Sequence, residues 1–111
     1  MAASFTTSDP GGLLKLFKDA IDNKTVTTWL YDDDGDFYHA DKQFKGTAWF
    51  TPKTAKGELV FNIIKSKTKA ITPFVYAYYH GHIIETFLFH FDNSFTLGAA
   101  TAWATPDDII K

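Results

Sequence analysis

Between Ser8 and Asn23 the apolar positions follow a helical period. Leu13, Leu14, Leu16, Phe17, Ala20 and Ile21 gather on one side, and Lys15, Lys18, Asp19 and Asp22 on the other. Ser8 or Asp9 can cap this helix and Pro10 suits its first turn. Its polar pairs run Lys before Asp, the weaker orientation, and Gly11 and Gly12 weaken its start. The spacing therefore predicts a helix over 8–23 that depends on packing more than on propensity. After Lys24 the period shortens to two, predicting strands at 25–33, 36–40, 46–51, 58–66, 72–79, 82–91 and 95–104. Asp34-Gly35 and His80-Gly81 read as tight hairpin turns, 52–57 as a longer loop, and 105–108 as the start of one helical turn.

The fold class expected from this pattern is α+β: one N-terminal amphipathic helix packed on a curved antiparallel meander of six to seven strands, a single domain over 1–111. Such a sheet is roughly 25–30 Å wide, whereas a helix is about 10 Å across. The remaining apolar sheet surface then needs strong curvature, a lined cavity or a second copy to cover it.

The hairpin expected over 72–91 carries the main functional expectation. With a turn at His80-Gly81, one sheet face collects Phe74, Tyr76, Tyr78, Ile83, Glu85, Phe87, Phe89 and Phe91. Glu85 lies in the middle of that face, and a carboxylate among rings is costly unless hydrogen-bonded, which Tyr76 and Tyr78 can do. Glu85, Tyr76, Tyr78, Phe74 and Phe87 are thus the expected ligand-binding residues, with Glu85 as the polar anchor of an aromatic-lined concave face.

Composition narrows the field. Aromatic residues make up 17% of the chain, which excludes disorder because so many rings must be buried. With no cysteine, disulfides and thiolate metal sites are impossible. All eleven basic residues are Lys, and a chain without Arg is a poor reader of specific nucleic acid. Seven Lys fall within 42–69 against Glu58 alone, so weak polyanion binding is a third option behind binding and catalysis. The first residues have no signal-peptide pattern and no stretch reaches the roughly 20 apolar residues of a membrane span, so a cytoplasmic protein without membrane contact is expected.

Other motifs are weaker. His80-Gly81-His82 offers two imidazoles but no third ligand at a diagnostic spacing, so no metal is expected. His39 with Asp41 resembles a base-and-orienter pair without a nucleophile beside it. Aligning Asp32-Asp33-Asp34-Gly35-Asp36 with a calcium loop puts Leu30 at the first ligand position, so a turn is expected instead, with weak surface Ca²⁺ binding as the alternative. Pro10-Gly11-Gly12 lacks the spacing of a phosphate loop, and Trp29, Trp49 and Trp103 read as core. No cofactor fingerprint is present. The expectation is a non-enzymatic binding or protein-interaction domain, using the aromatic face or an edge strand. Its partner would be a protein, an identical subunit or a small hydrophobic ligand. The alternative is a small enzyme with a carboxylate or histidine acid/base in the same cavity.

Overall fold

The computed structural model describes residues 2–102 and 109–110. In chain order it contains β1 (Ala2–Thr6), α1 (Pro10–Asp22), β2 (Trp29–Tyr31), β3 (Phe37–His39), a 3-10 turn (Lys42–Phe44), β4 (Ala48–Ala55), β5 (Glu58–Lys65), α2 (Pro73–Phe91), β6 (Leu97–Ala100) and β7 (Ile109–Ile110). Six strands pair antiparallel in the order β2-β3-β4-β5-β1-β6, and β7 adds in parallel to the end of β5. The fold is α+β with an antiparallel sheet that does not close.

The N-terminal helix forms nearly where its period places it. The Asp9 side chain accepts from the Gly12 N–H at 3.0 Å, and Pro10 occupies the first turn. Gly12 has a reason to be glycine here, because a Cβ at that position would collide with the capping carboxylate of Asp9. Leu13, Phe17, Ala20 and Ile21 are buried, while Leu16 stays exposed. Past the helix, β2 to β5 form the expected meander, with Asp32–Asp36 turning between the first two strands.

Three expectations need correction. First, 72–79 and 82–91 are not a hairpin: they form one helix, α2, with Gly81 inside it. Thr72 caps this helix, its hydroxyl accepting from the Val75 N–H at 3.2 Å, and Pro73 fills the first turn. Val75, Tyr79, Ile83 and Phe87 then recur every four residues and face the core. Second, the expected loop at 52–57 is mostly strand, because β4 runs to Ala55 and turns directly into β5 at Glu58. Pro52 fits there since β3 pairs with β4 only at Phe50, leaving the later part of β4 with one neighbour. Third, residues 2–6 form a strand that the pattern did not predict, wedged between β5 and β6. The last predicted strand, 95–104, shortens to Leu97–Ala100; Trp103, Ala104 and the helical turn expected at 105–108 lie outside the described residues.

Both helices share one face of the sheet, so the surplus apolar surface has a second cover and no hollow is required. Phe87 of α2 stacks on Phe5 of β1 at 4.2 Å, and Phe17 of α1 stacks on Phe37 of β3 at 4.8 Å. Phe17 also meets Phe87 edge-on, and both meet Phe61 of β5. Polar tips inside this core are paired: Trp29 Nε1 donates to Thr86 Oγ1 at 3.1 Å, and the Tyr79 hydroxyl donates to the Ala48 carbonyl at 2.9 Å.

Candidate functional site

Folding 72–91 as a helix redistributes the five expected binding residues. Phe87 goes fully into the core. Tyr76 lies at the side of α2 with its ring against His80, 4.3 Å between centroids. Phe74, Tyr78 and Glu85 share the outer face of α2 instead of a sheet face. Phe74, Ala77, Tyr78, Gly81, Glu85, Leu88 and Phe89 follow one another every one to four residues and form one stripe along α2. Phe74, Leu88 and Phe89 remain 59%, 53% and 80% exposed. Glu85 is the one formal charge in the whole of α2. A helix that is apolar on every side normally lies inside something.

Beside this stripe, α2 meets β3 through two histidines. His39 Nε2 and His82 Nδ1 are 2.8 Å apart, and His82 Nε2 lies 3.4 Å from Glu85 Oε1. The direction of this chain is fixed at its far end. The Asp41 backbone N–H points at His39 Nδ1 at 3.1 Å, so that nitrogen is the acceptor. A neutral His39 therefore carries its proton on Nε2 and donates to His82 Nδ1, which leaves the His82 proton on Nε2, on the Glu85 side. Tyr78 packs edge-on against both imidazoles, and the Tyr79 hydroxyl accepts from the His39 backbone N–H.

Electrostatics agree with a neutral His39. Burial, followed by the positive charge His82 would carry, pushes His39 down to about 4, while Asp41 acts weakly in the opposite direction. Asp41 serves through its backbone amide. Its carboxylate is turned to Gln43, whose backbone and side-chain N–H groups hold it below its ordinary range. The Tyr79 hydroxyl is pushed up to about 12 by burial.

The same direction rules on metal binding. A histidine ligating through Nε2 must carry its proton on Nδ1 and give it to an acceptor. Here His82 Nδ1 is itself the acceptor, so His82 and Glu85 are arranged as donor and acceptor and not as two ligands. His80 does not join them, because it is buried with Nδ1 2.8 Å from the Tyr76 carbonyl. What the chain can do is hold a proton on the outward nitrogen of His82, in a shallow depression of about 280 Å³ lined by Ala77, Tyr78, Gly81, His82 and Glu85.

The remaining motifs lie away from this pair of histidines. Asp32 Oδ1 accepts from the Asp34 and Asp36 backbone N–H groups, both at 3.0 Å, which is a turn holding itself together. The carboxylates of Asp32, Asp34 and Asp36 come within 4.8 Å of one another there. Near Pro10-Gly11-Gly12 an open cleft of about 510 Å³ exists, but the Asp9 carboxylate already takes the Gly12 N–H and would repel an anion. Trp29 is core, as expected, and Trp49 is half-buried. Among the described residues no helix is long and apolar enough to cross a membrane.

Sequence reasoning named Phe74, Tyr78 and Glu85 as binding residues and weighed His39 and His82 only in separate, weaker motifs, so it did not group these five positions. The signal that would have done so is Thr72-Pro73, a helix start preceding nineteen residues with a single charge. Comparison with protein families, with curated proteins and with solved structures finds no match for this chain.

Proposed function

We propose that this chain is a non-enzymatic protein-interaction domain whose recognition surface is the outer face of α2. The observation that carries the reading is the stripe itself: Phe74, Leu88 and Phe89 exposed in line on a helix whose one charge is Glu85. Isolated apolar residues on a surface need no explanation, but an aligned set on one helix matches the helix-face mode of recognition. Aromatic side chains supply large contact area with few torsions to freeze, which suits Phe74, Tyr78 and Phe89 to the centre of an interface. An edge strand is the weaker surface. Among the described residues the edge strands β2 and β6 are three and four residues long and offer few main-chain groups.

The test is site-specific photo-cross-linking in cells that express the chain. A photoreactive residue at Phe89 is expected to yield discrete protein adducts, whereas one at Leu30 on β2, on the other side of the sheet, is expected to yield none. Equal adducts from both positions, or none from position 89, would remove the basis for the reading.

A further inference from the structure

Resting on that reading, we infer that the partner is a second copy of this chain, docked through α2 about a twofold axis that passes between Gly81 and His82. Gly81 gives the first argument. It sits in the middle of α2, where glycine costs about 1 kcal/mol relative to alanine. A Cβ added there meets nothing within 4 Å, so this chain's own packing does not require glycine. A second backbone crossing closely at that point does require it.

Symmetry gives the second. An axis at Gly81–His82 sets Phe74 against Phe89 of the other copy, twice, and sets Tyr78 against Glu85 of the other copy, twice. Ring meets ring at both ends, and the phenol donates to the one carboxylate on the face. The surface is thus complementary to itself, including at its only charge.

Area gives the third. A buried aromatic side chain covers about 200 Å². Phe74 and Phe89, at 59% and 80% exposure, therefore offer roughly 280 Å² together. With Leu88, Tyr78, Ala77, Gly81 and Glu85 the stripe offers roughly 500–600 Å² per copy at full burial, so two copies approach the lower end of specific interfaces, about 1,200 Å² in total. A lipid surface fits less well, because α2 has no Lys or Arg to meet headgroups and the chain's net charge is −2. A small ligand fits less well because the stripe is an outer, exposed helix face.

Sedimentation equilibrium of the full chain across the micromolar range tests this. The wild type is expected to dimerise. Phe89→Glu is expected to raise Kd at least about 100-fold, because twofold symmetry counts each lost contact twice. Gly81→Leu is expected to keep the far-UV circular dichroism and thermal stability of the folded monomer yet lose association. Phe74→Glu and Phe89→Lys, each impaired alone, are expected to associate better when mixed, since the axis places positions 74 and 89 opposite each other. A wild type that stays monomeric, or a dimer indifferent to all three positions, overturns the inference. A monomer that still cross-links through position 89 to a different protein overturns self-association and leaves the recognition face standing. One that cross-links to nothing sinks both. A monomer that co-sediments with phosphatidylcholine–phosphatidylglycerol vesicles through Phe89 overturns the inference and assigns the face to lipid.

Discussion

His39 is the residue on which two elements agree or part. As its own Nδ1 is held by the Asp41 amide and its Nε2–H is directed at His82, adding a proton to either imidazole breaks one hydrogen bond of the chain. A histidine whose folded-state pKa lies near 4, against 6.5 in the unfolded chain, stabilises the fold fully only above the unfolded value. That contribution is lost as pH falls from about 6.5 to about 4 and amounts to about 3 kcal/mol at most. The groups facing it are His82 and Tyr78 from α2, Tyr79 from its buried side, and Asp41 from its own segment, with Glu85 one imidazole further away. Urea unfolding at successive pH values is therefore expected to show stability falling by about 2–3 kcal/mol between pH 7 and 4 in the wild type, and by distinctly less in His39→Gln. Parallel curves for the two proteins would place the acid sensitivity elsewhere.

The two helices show what a hydrophobic pattern can and cannot settle. In α1, charged residues separate the apolar ones, so the period is visible and the predicted bounds of 8–23 differ little from Pro10–Asp22. Residues 73–91 contain so few polar positions that periods of two and of 3.6 fit equally well. The many β-branched and aromatic residues, with a Gly next to a His, then favour a strand reading that tertiary packing overrules. β1 escaped notice for the opposite reason. Ala3 and Phe5 alternate with Ser4 and Thr6, but one Phe among four small or polar residues carries too little apolar signal to stand out. The candidate site inherited the first error: Phe74, Tyr78 and Glu85 were named, but their shared helix face was not legible until α2 existed. Gly81 discriminates between the two readings by stability alone. In a helix interior Gly81→Ala is expected to raise the stability of the monomer by up to about 1 kcal/mol, measured by denaturation at low protein concentration. In a tight hairpin turn needing positive φ the same change would lower it.

At the scale of the whole molecule, the chain closes on itself through β1. This strand pairs with β5 along Ala2↔Asn62 to Thr6↔Glu58 and with β6 along Ala3↔Ala100 to Thr6↔Leu97, so it joins the β2–β5 meander to the edge strand β6. Its Phe5 fills the space under α2, stacking on Phe87, and Gly98 of β6 leaves room for that ring, since a Cβ there would lie 3.1 Å from it. Removing β1 therefore does three things at once: it opens a gap between β5 and β6, leaves the backbone groups of both without partners, and takes a buried ring from beneath α2. One such loss of a buried Phe already costs about 3–5 kcal/mol, a large share of the 5–15 kcal/mol by which a domain of this size is stable. Deletion of residues 1–6 is accordingly expected to abolish the cooperative urea transition and the near-ultraviolet circular dichroism of the core rings, with α2 losing helicity in the same step. β6 does not substitute for β1 beside β5, because it runs parallel to β5 where β1 runs antiparallel, and a one-residue shift of register would turn Gly98 away from α2 and bring Leu97 towards it. A truncated chain that still unfolds in a single sharp transition would mean that α2 and the β2–β5 meander form a sufficient core without the N-terminal strand.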